Sequence, residues 1–125
     1  MMIAFTDSFL KYEYAPLRRV FSLIDIKKFC LKSHTASTAV SNLGLSGVRF
    51  VKIRIMKKPA ARMLLMIQLD QNLYVPLLFR LKKDKLMGQN FSLSNSQFKK
   101  VLLERIRQIF DDLDRKQFYC EDVKM

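Results

Sequence analysis

Basic side chains alternate with apolar ones in the central part of the chain, at a spacing that suits a phosphate-binding surface. Lys52 and Arg54 lie two residues apart in one apolar segment, and Arg62 and Arg80 belong to two later segments of the same kind. Alternate side chains of a β-strand point to opposite faces, so these four cations can share one face of a sheet. Such a group can position phosphates, stabilise charge that develops on a phosphate, and supply a lysine for proton transfer.

The net charge of the chain is +12, and most of it is concentrated in one region. Residues 49–85 carry ten basic and two acidic side chains, which leaves a local excess of +8. Self-repulsion of this kind is usually tolerated where a polyanion neutralises it. The alternative is an ordinary solvated sheet face on a merely basic protein. If the charge serves nucleic acid, further contacts are predicted from Arg49, Lys57, Lys58, Lys82, Lys83 and Lys85.

Three apolar segments predict the sheet that would carry these cations. They are Val48–Met56, Arg62–Leu69 and Leu73–Lys82, and turn-like residues separate them. The pattern is typical of an antiparallel meander. Because Pro76 cannot donate a hydrogen bond to a neighbouring strand, it predicts an edge position or a β-bulge in the third segment.

The register of this meander decides which cations meet. A first turn centred near Pro59 places Arg62 on the basic face of the first strand. A second turn centred on Gln71 adds Arg80, whereas a two-residue turn at 71–72 would shift the register and send that side chain elsewhere. The shared basic face therefore depends on both turns.

The residues before the meander predict one strand and two helices. Met1–Phe5 is a short apolar run that suits an edge strand, and Thr6–Ser8 offers N-caps for a short helix. Pro16 suits the first turn of a second helix, which would run to about Leu31. Residues 33–47 are small and polar, and they predict a connection with room for a short helix. The second helix would bury Leu17, Val20 and Ile24, with Phe21 or Phe29.

The last forty residues predict an amphipathic helix from about Asn95 to Lys116. With its capping residue Ser94, this C-terminal helix segment covers residues 94–116. Ser94 and Gln97 have the spacing of a capping box. Residues 117–125 predict a loose tail. Apolar residues recur at helical spacing at Phe98, Leu102, Ile106, Ile109 and Leu113.

Length and composition predict one α+β domain over residues 1–125 without metal or cofactor. No apolar run approaches the ~20 residues of a membrane span, and the opening residues lack the basic region of a signal peptide. We therefore expect a cytoplasmic protein in which Cys30 and Cys120 are unpaired, buried thiols. With one histidine and two distant cysteines there is no metal-ligand cluster, and His34 is expected to be a surface residue rather than a catalyst.

Several of these segments, in their order and spacing, resemble the RelE/ParE superfamily of bacterial toxins. The resemblance covers roughly residues 3–85 and implies a strand, two helices and then an antiparallel meander. The helix within 94–116 would be an addition to that core, residues 1–85. The matching segments are Ser8–Leu10, Leu45–Gly47, Phe50–Arg54, Arg62–Leu65 and Leu77–Asp84.

The resemblance also implies a function. RelE-like members are toxins that enter the ribosomal A site and cleave mRNA without metal, and an antitoxin protein neutralises them. By position, Lys52 would transfer a proton, and Arg54 and Arg62 would hold or stabilise phosphate. Arg80, together with Lys82 or Lys83, would complete the site.

The chain departs from the RelE pattern in two places. Members that cleave RNA often have a tyrosine or histidine near the end of the last strand, and residues 83–90 contain neither. Tyr74 and Tyr119 are the candidates to replace it, and the C-terminal helix is longer than a minimal member carries. ParE-like members poison DNA gyrase and need no nuclease site. A non-catalytic module that binds nucleic acid or gyrase is therefore the alternative, and an interaction protein for an acidic partner is a third.

Overall fold

The computed structural model describes residues 1–35, 37–41, 43–84 and 91–124. These residues contain six strands, two α-helices and three shorter helical segments. The strands are β1 Met2–Thr6, β2 Ser37–Val40, β3 Val48–Ile55, β4 Ala61–Gln68, β5 Leu73–Leu81 and β6 Phe118–Asp122. The helices are α1 Leu23–Leu31 and α2 Ser96–Asp114, with a π-helical segment Phe9–Tyr14 and 3₁₀ turns Ala15–Leu17 and Lys32–His34.

All six strands form one open sheet in the order β2-β3-β4-β5-β1-β6. Neighbouring strands are antiparallel except β1 and β5, which run parallel. Helix α1 packs on one face of this sheet, where Phe21 and Phe29 both contact the ring of Phe79. The predicted α+β class is confirmed, and its RelE-like form stays a prediction.

The central meander β3-β4-β5 is confirmed, with bounds within one residue of those expected. Pro76 produces the predicted irregularity: Leu65 faces Pro76, but Leu64 faces Leu78. Leu77 is therefore the extra residue of a bulge in β5.

The two chain ends form the other half of the sheet, contrary to expectation. β1 is an interior strand because β6 pairs with it along its whole length, from Met2↔Asp122 to Thr6↔Phe118. Both the edge position of the first strand and the loose tail were therefore wrong. β6 is short and largely exposed, so it lacks the apolar alternation that predicts a strand.

The predicted helix from Pro16 to Leu31 is interrupted. Pro16 starts only a 3₁₀ turn, and α1 begins after Ser22. The Ser22 hydroxyl accepts from the Asp25 N–H at 3.1 Å, and the Asp25 carboxylate accepts from the Ser22 N–H at 2.9 Å. Val20 lies before α1 and is 49% exposed, and Ile24, in the first turn of α1, is 61% exposed, so their predicted burial was wrong.

Two further local expectations need correction. The connection over residues 33–47 contains β2, which pairs with β3 and was not predicted. Helix α2 is confirmed within two residues at its C-terminal end, but Asn95 rather than Ser94 is its N-cap. The Asn95 side chain accepts from the N–H groups of Gln97 and Phe98 at 3.0 and 3.2 Å.

None of the helices in the described part of the chain is both long and apolar enough to cross a membrane. Cys30 and Cys120 are unpaired. Burial raises the pKa of Cys30 to about 12, which makes its thiol inert. Cys120 lies on the edge strand β6 and is exposed, so the prediction that both thiols are buried was wrong for this residue.

Candidate nucleic-acid interface

Three arginines lie side by side across the centre of the sheet. Arg54 on β3 faces Arg62 on β4, and Arg62 faces Arg80 on β5. Residues directly opposite each other on neighbouring strands have Cβ atoms about 5 Å apart. We call these three residues the arginine row.

The bulge in β5 brings Arg80 into the arginine row. Near the second turn Met66 faces Val75, and continuing that register would place Phe79 opposite Arg62. Leu77, the extra residue, moves the following part of β5 by one position and restores Arg80 to that place. The predicted alignment of Arg80 is therefore observed, although it arises from the bulge and not from the turn alone.

Lys52 shares the face of the arginine row because it lies two residues before Arg54 on β3. The side chain is half-buried. Burial lowers the pKa of the Lys52 ammonium, and the neighbouring charges of Arg54 and Arg62 lower it further. A lysine with a lowered pKa releases its proton more readily, which suits proton transfer.

A cleft of about 250 Å³ lies at the end of the meander and is lined by Arg54, Arg62 and Lys82. We call it the strand-end cleft. Arg62 is only 6% exposed, and burial followed by the charge of Arg54 lowers the pKa of its guanidinium. Among residues 1–35, 37–41, 43–84 and 91–124, neither Arg54 nor Arg62 has a carboxylate within ion-pair distance. The cleft therefore holds positive charge without compensation from those residues.

Arg54 also borders a second cleft, of about 460 Å³, which opens towards β2. Lys52 lines it together with the hydroxyl-bearing residues Thr38 and Ser92. Hydroxyl and ammonium groups are donors that bind phosphate oxygens. The two clefts meet at Arg54, and together they form a continuous cationic surface.

Helix α2 covers the rest of this face. It packs against β5 and β1. The ring of Phe98 stacks on Phe91 with centroids 5.2 Å apart, and Phe91 lines the same cleft as Lys52 and Arg54. The helix thus limits the open part of the face to β2, β3 and β4.

Arg80 is bound differently from the other members of the row. Its Nε and Nη2 donate to the two carboxylate oxygens of Glu13, at 2.8 and 2.7 Å, and its Nη1 reaches Asp84 at 3.4 Å. Glu13 is 1% exposed and also accepts from the Phe79 N–H at 2.9 Å and from Arg105 Nε at 3.1 Å. The Glu13 hydrogen bond is the main cause that raises the pKa of Arg80. Glu13 therefore ties Phe9–Tyr14 to β5 through Arg80 and Phe79, and to α2 through Arg105.

The other predicted nucleic-acid contacts are scattered. Arg49 lies on the opposite face, beside His34 and Val51. The Lys57 Nζ is 5.5 Å from the centre of the Phe29 ring of α1, also away from the row. Lys58 is exposed in the β3–β4 turn. Of the remaining three, Lys82 joins the strand-end cleft, Lys83 lies beside Arg80, and Lys85 falls outside the described residues.

The two tyrosines considered as replacements lie on the face of α1. The Tyr74 hydroxyl is 3.5 Å from the His34 Nε2. Tyr119 packs on Phe5 with ring centroids 5.5 Å apart, and burial followed by the charge of Glu121 raises its pKa. Neither side chain shares a face with Lys52, so the structure does not bring them to the cationic surface.

Sequence reasoning missed Glu13 and its neighbour Tyr12. Glu13 is the lone carboxylate in a helical segment that is otherwise aromatic, aliphatic or basic, and that isolation was the available signal. Tyr12 lies beside Arg80 and receives the Arg105 guanidinium on its ring at 4.8 Å. Both lie at least sixty residues from β5 along the chain, so spacing alone could not connect them.

Comparison with protein-family profiles, with curated proteins and with solved structures finds no match for this chain. Within the described residues, no three His, Cys, Asp or Glu side chains are grouped as metal ligands would be. The site is therefore defined by its own geometry, as a cationic surface that suits phosphate.

Proposed function

We propose that this protein is a RelE/ParE-type toxin of a type II toxin–antitoxin system, which acts in the cytoplasm by cleaving mRNA on the ribosome. An antitoxin protein would neutralise it. The observation that carries the proposal is the pair Arg54 and Arg62, adjacent on neighbouring strands and without a carboxylate partner among the described residues. The topology supports it as well, since β1 and the helical segments precede an antiparallel meander.

The chemistry needs no metal. The ribose 2′-oxygen attacks the adjacent phosphorus, the bond to the 5′-oxygen breaks, and a 2′,3′-cyclic phosphate and a 5′-hydroxyl result. Arg54 and Arg62 bind the non-bridging oxygens, on which negative charge increases in the transition state. Lys52 gives a proton to the departing 5′-oxygen, and its lowered pKa favours that transfer. The proton of the 2′-hydroxyl passes to water.

Arg80 has a supporting part in this proposal. Three of its nitrogens already bond to Glu13 and Asp84, whereas Lys82 lines the same cleft as Arg54 and Arg62. Lys82 therefore completes the phosphate site, and Arg80 fixes the strand that carries it.

The test is ribosome-dependent cleavage of mRNA by purified protein. Substituting Lys52, Arg54 and Arg62 together with alanine should lower the cleavage rate by at least about 100-fold, the usual effect of losing proton transfer and charge stabilisation. The matched control removes three exposed charges elsewhere, at Arg18, Arg19 and Lys28. Equal rates for the two triple variants would overturn the proposal.

A non-catalytic module that binds nucleic acid or gyrase is the second candidate. It is favoured by the position of Tyr74, Tyr119 and His34, which the structure keeps away from the cationic surface. In that case the wild type would bind RNA or inhibit gyrase with the same dependence on Arg54 and Arg62, while mRNA on the ribosome stayed intact.

A further inference from the structure

A cleft of about 350 Å³ lies on the face of the sheet that carries α1, opposite Arg54 and Arg62. We call it the α1-face cleft. Strands β2 and β3 form its floor, and the 3₁₀ turn that follows α1 forms its wall. None of the side chains that the proposed cleavage uses lines it. The lining residues are Ser33, His34, Ser37, Ala39, Arg49 and Val51.

The α1-face cleft contains a cation, and none of its lining residues is acidic. Arg49 projects to this face because it lies three residues before Lys52 on β3, and an odd separation reverses the face. Its side chain is exposed, and no carboxylate of the described residues lies within ion-pair distance of it. The guanidinium therefore keeps its N–H donors for an external anion.

Two carbonyl oxygens of the 3₁₀ turn, which could repel an anion, are already bonded within the protein. The Lys32 oxygen accepts from the Thr35 N–H at 3.1 Å. The Ser33 oxygen accepts from the Ser37 hydroxyl at 2.9 Å. Because these hydrogen bonds occupy the acceptors, the polar groups that remain for a ligand on this wall are mainly donors.

His34 supplies one of these donors. Its Nε2 is 3.5 Å from the Tyr74 hydroxyl, and Tyr74 belongs to the same row across the sheet as Arg49, since both face Ile67 on β4. When Nε2 accepts from the hydroxyl, Nδ1 carries a proton and is a donor. The ring therefore presents an N–H group beside the guanidinium of Arg49.

Ser33 supplies the second donor of the turn. The residue is 8% exposed, and its hydroxyl has no hydrogen-bond partner among the described residues. A buried polar group without a partner costs free energy. An oxygen of a ligand in the cleft would supply the missing hydrogen bond, so the site is more favourable with an anion bound.

We propose that the α1-face cleft binds a phosphate group, held by the Arg49 guanidinium, the Ser33 hydroxyl and the His34 ring. This site goes beyond the proposed function, because it lies on the opposite face of the sheet and needs no RNA on Arg54 and Arg62. A phosphate suits the site because its several oxygens can accept from the strand and from the turn at once. Free phosphate and the terminal phosphate of a nucleotide present the same oxygens, and the test separates the two.

The test uses the NMR signals of His34. It is the only histidine of the chain, so its ring gives one set of resonances that reports on this cleft. Inorganic phosphate is titrated into the full-length protein at constant pH and constant ionic strength, with chloride as the anion that it replaces. The ring resonances should shift and saturate, with a Kd of about 1 mM for a small number of charge-assisted hydrogen bonds. Chloride alone should leave them unchanged.

Two substitutions separate phosphate binding from a structural effect. Arg49→Gln should weaken binding about 10-fold or more, because it removes the charge-assisted contact, and the exposed control Arg18→Gln should bind like the wild type. Ser33→Ala should weaken binding roughly 2- to 10-fold, the effect of one hydrogen bond. Its thermal stability should stay equal or rise, since the hydroxyl has no partner within the described residues to lose. Unchanged phosphate binding by either cleft variant would overturn the proposal.

A parallel titration with adenosine 5′-monophosphate identifies the source of the phosphate. Saturation at a lower concentration than inorganic phosphate requires would assign the site to a nucleotide, and equal or weaker affinity would assign it to free phosphate. The variant Arg54→Gln/Arg62→Gln should keep the His34 response even if it loses RNA cleavage, so the two proposals fail separately. A wild type whose His34 resonances respond no more to phosphate than to chloride would contradict the inference, as would loss of the response in Arg54→Gln/Arg62→Gln.

Discussion

The two ends of the arginine row contain the same residue type in the same register, and they differ in what surrounds the guanidinium. Arg80 lies against Glu13, a carboxylate that also binds Arg105. At the other end, Arg54 and Arg62 face each other without a carboxylate partner in the described part of the chain. Two arginines share one buried anion at the first end, and two arginines share none at the second.

The difference separates structural charge from charge that is available to a ligand. A buried carboxylate with two guanidinium partners has its hydrogen bonds satisfied, and removing it would leave both cations uncompensated. Adjacent cations without an anion repel each other and cost stability, a cost that an external polyanion offsets on binding. The position of a cation in the row therefore does not define its role; the presence of Glu13 does.

The largest expected effect is on the free energy of unfolding, at the Arg80 end of the row, where Glu13 is the partner. Glu13→Gln keeps the shape of the side chain but removes the charge that compensates Arg80 and Arg105. The free energy of unfolding should fall by about 3–5 kcal/mol, the usual cost of breaking a buried ion pair. Urea denaturation measures it. Asp111→Asn is the control, since this carboxylate pairs with Arg115 on the exposed face of α2 and should cost less than about 1 kcal/mol. Similar losses for both variants would remove the distinction between the two ends.

The next comparison is between members of the row itself. Arg80→Met should cost about 2–3 kcal/mol, somewhat less than a fully buried pair because 23% of the side chain is exposed. Arg62→Met should change the free energy of unfolding by less than about 1 kcal/mol, because no ion pair within the described residues is broken and repulsion from Arg54 is relieved. The same denaturation experiment decides it. A larger loss for Arg62→Met than for Arg80→Met would contradict the account.

The smallest effect concerns the pH dependence of stability. The folded state lowers the pKa of Lys52 below its ordinary 10.5, so the folded protein binds this proton less tightly than the unfolded chain. At neutral pH the charged Lys52 therefore lowers the free energy of unfolding. This loss disappears as the pH rises through the folded pKa towards 10.5. Over that interval the free energy of unfolding of the wild type should rise relative to that of Lys52→Met. The rise should be less than about 1 kcal/mol, because the side chain is only half-buried. Denaturation of both proteins at pH 7 and pH 10 measures this change. If the free energy of unfolding of the wild type, relative to the variant, stays constant or falls between the two pH values, the prediction is wrong.

The sequence was sufficient for the elements with strong periodicity. Alternation predicted β3, β4 and β5, and helical spacing predicted α2, because each buries a continuous apolar face. β2 and β6 were missed because their residues are mostly exposed, so pairing and not burial defines them. Pro16 predicted one continuous helix to Leu31, whereas the Ser22–Asp25 capping box starts a separate helix inside that span, so its side-chain hydrogen bonds mark the boundary.

The site was predictable only in part, because it depends on the register of β5 and on a contact between residues far apart along the chain. Lys52 and Arg54 share a face by parity alone, and Arg62 needed only the first turn. Arg80 needed a bulge whose cause, Pro76, was visible but whose effect on the register was not. Glu13 lies 67 residues from Arg80, and local patterns carry no information about a contact of that separation.

In the proposed function, Arg54 and Arg62 bind RNA phosphates because no carboxylate among the described residues occupies them. The most direct measurement is the salt dependence of single-stranded RNA binding by Arg54→Gln/Arg62→Gln, beside the exposed control Arg18→Gln/Arg19→Gln. Each lost phosphate contact lowers the slope of log K against log salt by about 0.7, so the first variant should show a slope about 1.4 shallower than wild type. The control should keep the wild-type slope. Equal slopes for the two variants would contradict the account.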